Sequence, residues 1–306
     1  MEEEDTNKWE DPNNNDILVN VFNKFDIFEL TSGLGHICPS WRNAVCDPYL
    51  WRTLDLSLFK SNYTYINNKP HVYVAKSSDK QLTKLLKISL NLSRQCVTTL
   101  IFHYYSYVND AQLTYIAERS PNLKRLVLPS WDRITVTGIR NSITMWKDLE
   151  SLAIATVPNP TYLMKQISIN CKKFSQLKII GPCDIAFVKT LIRCVPNLKV
   201  LSLRCSRLHM DALLLILNRL DNLQVLNIAH CYIVEGPTAP STSSLKVVEK
   251  LDDEIMEKGS RLRNFITCRD DMCTECQRTK ADKGIMRWCR IEQGLWKEDE
   301  VKSLAV

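Results

Sequence analysis

The sequence predicts an α/β protein in which a small helical module at the N-terminus leads into a short solenoid with parallel strands inside and helices outside. Three observations carry that reading. A pattern of Leu-x-x-Leu-x-Leu type recurs through the middle of the chain. Each interval between copies holds one amphipathic helical stretch, and residues 9–56 hold three short apolar helical patterns punctuated by Pro.

Composition sets the limits. With 306 residues, 45% hydrophobic and 24% charged, the chain has enough apolar mass for a core of ordinary size, which excludes wholesale disorder, collagen and a disulfide-stapled miniprotein. The net charge of +6 is the sum of unlike segments. Residues 1–60 carry 11 acidic and 5 basic residues, residues 61–240 carry 10 and 22, and residues 241–306 carry 13 of each. The opening Met1-Glu2-Glu3-Glu4-Asp5 has the wrong sign for a signal peptide, and residues 1–8 read as an acidic disordered tail. No apolar run approaches the ~18 residues of a membrane helix. The 12 Cys lack the close regular spacing of a stapled domain and fit a reducing, intracellular setting, nucleus and/or cytoplasm.

Residues 9–56 form the first module. Asp16 reads as an N-cap before Ile17, Leu18, Val21 and Phe22, an i, i+1, i+4, i+5 ladder. A second helix is expected around Leu30–Leu34 and a third around Cys38–Val45, closed by Asp47-Pro48. About 45 residues bury only part of such apolar surface alone, so some of it should face a partner or the next segment. Residues 57–96 read as a linker and a first atypical repeat.

Residues 97–240 hold six copies of the pattern: Val97/Leu100/Phe102, Leu123/Leu126/Leu128, Leu149/Leu152/Ile154, Leu177/Ile180/Pro182, Leu198/Leu201/Leu203 and Leu223/Leu226/Ile228. Their central positions are 26, 26, 28, 21 and 25 residues apart, within the leucine-rich-repeat range of roughly 20–29. Between them lie helical stretches such as Asp110–Arg119 and Met210–Leu220, with Pro121 and Pro196 as natural stops. No strand or helix buries its face alone, so the units must stack. The spacing and the lack of a Gly-rich phosphate loop argue against a doubly wound sheet.

The period-2 rule assigns an outward column through Ile101, Val127, Ala153, Gly181, Ser202 and Asn227, flanked by columns containing Arg125 and by columns containing His103 and Arg204. The basic excess is then expected on helices and loops, at residues such as Lys124, Lys172, Lys173, Lys178 and Lys199. A nucleic-acid reader wants a contiguous basic face with stacking aromatics, so no nucleic acid is expected as a partner. Tyr104, Tyr105, Tyr107, Trp131 and Tyr232 follow the strands as candidates for one rim. Arg125, Arg204, His103, Tyr105, Trp131 and Asn227 are the candidate contacts for a protein ligand.

Residues 241–306 read as a C-terminal cap with a Cys cluster. Cys268, Cys273 and Cys276 are spaced Cys-x4-Cys-x2-Cys, and Cys289 follows after twelve intervening residues. Four thiolates suit tetrahedral zinc. The absence of a second Cys-x2-Cys or Cys/His pair and the irregular first gap favour reduced structural thiols, and no cofactor is expected. The five His are scattered, no nucleophile motif or phosphate loop occurs, and the chain reads as non-catalytic.

Asp16-Ile17-Leu18, Val21-Phe22, Leu30, Leu34, Ile37-Cys38, Trp41-Arg42, Asp47-Pro48 and Leu50-Trp51 together resemble an F-box, with Asp11-Pro12 standing where that family has Leu-Pro. The order of F-box, leucine-rich repeats and Cys-bearing tail is similar to the plant-type F-box/leucine-rich-repeat family. The resemblance implies docking on a Skp adaptor, and through it a cullin, by Trp9, Pro12, Ile17, Leu18, Val21, Phe22, Leu30 and Leu34. It further implies that the repeats hold a protein substrate for ubiquitination. The competing readings are a repeat scaffold acting without the ligase and, behind it, a zinc-dependent nucleic-acid binder.

Overall fold

The computed structural model describes residues 15–59, 63–65, 72–74, 76–103, 106–155, 159–236, 245–268 and 272–284. Three helices open it: α1 (Asn15–Phe22), α2 (Ile27–Ser32) and α3 (Pro39–Val45), with a single 3-10 turn at Leu34–His36 and another at Pro48–Trp51. Local chemistry sets their ends. The Asp26 carboxylate accepts from the backbone N–H groups of Phe28 and Glu29, and the Glu29 carboxylate accepts from Asp26 N, which makes a reciprocal capping box at the start of α2. Pro39 occupies the first turn of α3, where its missing N–H costs nothing. Asp16 lies inside α1, one residue after its start, so it adds negative charge to the first turn instead of capping it as the sequence suggested.

A parallel sheet follows. Strands β1 (Thr53–Leu56), β4 (Thr99–Phe102), β5 (Arg125–Val127), β6 (Ser151–Ile154), β7 (Gln176–Ile179), β8 (Val200–Ser202), β10 (Val225–Asn227) and β13 (Asn264–Ile266) lie side by side in chain order. It is two strands longer than the repeats read from the sequence, because β1 and β13 join at the ends. Helices α4 (Lys76–Leu92), α5 (Asp110–Arg119), α6 (Val136–Ile143), α7 (Pro160–Asn170), α8 (Ile185–Cys194), α9 (Met210–Arg219) and α10 (Asp253–Ser260) pack in succession on one side. Smaller sheets are β2 (Tyr63–Tyr65) with β3 (Val72–Val74), and β9 (Arg207–His209) with β11 (Tyr232–Glu235) and β12 (Lys246–Val247). Helix α11 (Thr274–Ala281) closes the described chain. Among the described residues no helix is long and apolar enough to cross a membrane.

The Leu pattern is the core. Leu100, Leu126, Leu152, Leu177, Leu201 and Leu226 are each fully buried and stand at matching positions along the ladder. One continuous apolar core runs from Leu18 in α1 to Ile255 in α10, so the helical module is built onto the end of the solenoid. Phe28 of α2 stacks on Phe59 beyond β1 with centroids 6.3 Å apart, and Trp51 is buried with its indole N–H donating to Val45 O at 2.8 Å.

The fourth repeat corrects the sequence reading. Leu177, not Ile180, aligns with Leu152 and Leu201, so the triple is Phe174/Leu177/Ile179. Phe174 is buried and Pro182 is exposed, the reverse of what Leu177/Ile180/Pro182 required. Lys178 therefore stands in the inner column between Ala153 and Ser202, not on a loop, and Gly181 leaves that column. Lys124 and Lys173 do lie outside, paired with Glu150 and Asp148.

Candidate functional site

Three places carry the residues singled out in the sequence. The first is α1. Its heptapeptide Asp16–Phe22 is amphipathic in a divided way, because Leu18, Val19 and Phe22 turn into the core while Ile17 (53% exposed) and Val21 (47%) share the outer face one turn apart. Phe22 meets Trp41 edge to face at 5.0 Å and Phe25 at 6.0 Å, which fixes α1 against α3. Leu18, Phe22 and Leu30 are thus core residues that shape the module rather than contacts for an adaptor, a correction to the expected set. Leu34 is partly buried against the same core. Trp9 and Pro12 lie outside the described residues. Ile37 and Tyr49 are also large and exposed on this module, Tyr49 standing between Pro48 and the buried Leu50-Trp51, and neither was among the residues expected to face an adaptor.

The second place is the inner face of the sheet, which is less open than the period-2 rule suggested. Ile101, Val127, Ala153, Lys178, Ser202 and Asn227 are all buried, and the first three form an apolar cluster separate from the main core. Asn227 also turns its side-chain oxygen to accept from Ala229 N at 3.0 Å. Trp131 is a core residue, its indole N–H donating to Leu128 O at 3.0 Å. Arg125, His103 and Arg204 remain half-buried in the flanking columns, and Tyr105 lies outside the described residues.

The third place is the C-terminal end. Cys268 follows β13, and His230 follows the neighbouring β10, so the parallel register brings the two segments side by side; Ile228 N donates to Ile266 O at 2.9 Å. Cys273 precedes α11 and Cys276 sits in its first turn. The ligating atoms of His230, Cys268, Cys273 and Cys276 all lie within 4.8 Å of one another. His230 Nδ1 is 3.3 Å from both Cys273 Sγ and Cys276 Sγ. Burial works against the Cys273 thiolate, but hydrogen bonds from Cys276 N–H, from the Cys268 thiol and from Glu275 N–H outweigh it and hold its thiol below the ordinary value. Burial and then the adjacent Cys268 push the Cys276 thiol up. Gly284, at φ +67, seats the end of α11: a Cβ there would come within 2.8 Å of the Arg207 backbone in β9. Cys289 lies outside the described residues. His230 was missed in the sequence because it lies 43 residues from Cys273 in the chain, with no motif linking the two.

A three-helix module with an exposed apolar pair on its first helix, continuous with a leucine-rich-repeat solenoid, defines the class of protein. Residues 15–57 match the F-box-like family. An F-box/LRR-repeat protein of Arabidopsis thaliana is 51% identical over 298 residues, spanning 97% of this chain and 96% of the relative. A putative F-box protein of the same plant is 28% identical over 339 residues, spanning 98% and 97%. The plant's F-box protein SKIP1 is 26% identical over 166 residues, spanning 53% and 52%. The chain belongs to the F-box/LRR-repeat proteins, whose F-box is generally a non-catalytic adaptor within ubiquitin ligase complexes.

Proposed function

We propose that this protein is a substrate-recognition subunit of a Skp/cullin/F-box ubiquitin ligase. Its F-box docks on a Skp adaptor, and the solenoid holds a protein substrate beside the ubiquitin-charged enzyme. The observation that carries the reading is the F-box-like match at residues 15–57 together with the apolar pair Ile17 and Val21 left uncovered on α1. An exposed i, i+4 apolar pair on an otherwise well-packed helix is the kind of surface a groove-forming partner covers. The work is positional. Tethering raises the substrate's effective concentration at the transfer site, and no side chain of this chain need form a covalent bond.

The burial of the middle column favours a substrate held along the flanking columns at Arg125, His103 and Arg204 rather than deep in the arc. A reducing compartment, nucleus or cytoplasm, fits the Cys content. The test is co-purification of the full chain with a Skp adaptor and cullin, followed by ubiquitin transfer to captured proteins. Stable binding that is lost in the Ile17→Asp/Val21→Asp chain supports the reading. Binding that survives that double change, or no binding at all, removes it. Adaptor binding without transfer to any captured protein favours a scaffold role instead.

A further inference from the structure

We propose that His230, Cys268, Cys273 and Cys276 form a structural zinc site that staples the C-terminal end of the solenoid. The four side chains come from three separate segments, and the fold alone brings them together: the turn after β10, the stretch just past β13 and the start of α11. Three Cys and one His make a closed four-ligand set, the composition of structural zinc sites, and thiolate-rich sets of this kind select zinc over hard cations such as Mg²⁺ and Ca²⁺. Zn–S bonds of about 2.3 Å and a Zn–N bond of about 2.0–2.1 Å at tetrahedral angles require neighbouring ligand atoms roughly 3.5–3.8 Å apart. The His230 Nδ1 separations of 3.3 Å from two of the sulfurs, with every pair within 4.8 Å, bracket that spacing. All three Cys are free thiols, so no disulfide competes for them. The His would bind through Nδ1 and carry its proton on Nε2.

The surroundings give the metal a task. Helix α11 reads Thr-Glu-Cys-Gln-Arg-Thr-Lys-Ala, and Thr279 is its one buried residue, so apolar burial holds it weakly. Among the described residues strand β13 is the last of the sheet and pairs on one side with β10. An end strand and a polar helix at the terminus of a repeat array need a cap, and a metal bonded to β10, β13 and α11 segments together supplies one. His230 holds φ +59, an uncommon backbone state for a residue other than glycine, at the position that aims its ring at the sulfurs. Binding releases the thiol protons to solvent and leaves a set of three thiolates and one neutral imidazole around the ion.

The experiment measures zinc in the untagged full-length chain, purified without chelator and dialysed against metal-free buffer. One zinc ion per chain is expected, falling toward none in Cys276→Ser and His230→Ala and persisting in Cys96→Ser and Cys289→Ser. Because loss of a ligand can also loosen the fold, His230→Cys is the second variant: it should keep the ion, and after exchange into Co²⁺ its sulfur-to-metal absorption should exceed that of the unaltered chain, as four sulfurs replace three. Absence of stoichiometric zinc overturns the proposal, as does a Cys273–Cys276 disulfide in protein purified without reductant. Zinc retained by His230→Ala but lost from Cys289→Ser overturns the place of His230 in the set.

Discussion

Arg133 Nη1 lies 3.0 Å from Asp79 Oδ1, joining the first turn of α4 to the loop before α6 across 54 residues of sequence. The same guanidinium donates to Tyr107 O at 2.9 Å, and the carboxylate also accepts from Gln112 Nε2 at 3.2 Å and Asn109 Nδ2 at 3.3 Å. Three successive units are thereby tied on the rim where their helices begin. Both side chains are about a third exposed, so water weakens the pair, and Arg133→Ala should cost about 1–2 kcal/mol. Urea unfolding reads it as a lower midpoint with unchanged slope, and an unchanged midpoint would show that the network adds nothing.

Docking and folding should separate on α1. Changing Ile17 and Val21 to Asp alters two exposed side chains, so the melting temperature should hold while adaptor affinity falls by more than about tenfold, the loss of roughly 1.4 kcal/mol or more. Phe22→Ala should instead lower stability by about 3–5 kcal/mol, because it empties the space against Trp41. Calorimetry paired with adaptor titration distinguishes them; a large loss of stability from the Asp pair would contradict the assignment of faces.

The register of the fourth repeat has its own test. Phe174→Ala should destabilise by about 3–5 kcal/mol and Pro182→Ala by less than about 0.5 kcal/mol. Comparable effects at the two positions would restore the register read from the Leu spacing.

Cys171 is buried and its thiol is pushed up to about 12 by desolvation, against the 9.0 of an exposed thiol; burial pushes Cys183 up as well, with Asp184 adding to it. A thiol that ionises more readily unfolded than folded leaves stability intact below 9.0 and lowers it as pH rises from there through about 12. At pH 8 a thiol-alkylating reagent should therefore label Cys96 in the native protein and spare Cys171 and Cys183, with both labelled after denaturation. Mass spectrometry of the labelled peptides checks this, and native labelling of Cys171 would mean that its site opens.

Much of the fold was legible because its causes are local. Helix α5 begins and ends where the sequence reading placed it, since Asn109 caps it and exchanges hydrogen bonds with Gln112 three residues on. Five of six Leu triples matched the core because a solenoid repeats one local environment. The fourth failed because Leu177-Lys178-Ile179-Ile180 supports two registers, and only hydrogen bonding to β6 and β8 chooses between them. On α1 the pattern marked an apolar helix but not which of its residues the rest of the module would cover.

By itself, the sequence determined that this is a small helical module followed by a leucine-rich-repeat array, along with the ends of several helices, because periodicity, caps and Pro stops act within a few residues of one another. The tertiary structure alone decided the register of the fourth strand, the burial of the inner column through Lys178 and Asn227, and the release of Ile17 and Val21 to the surface. It also decided that His230 joins Cys268, Cys273 and Cys276. Each of these depends on how one unit stacks upon the next, and that contact is made between side chains too far apart along the chain for any local pattern to encode.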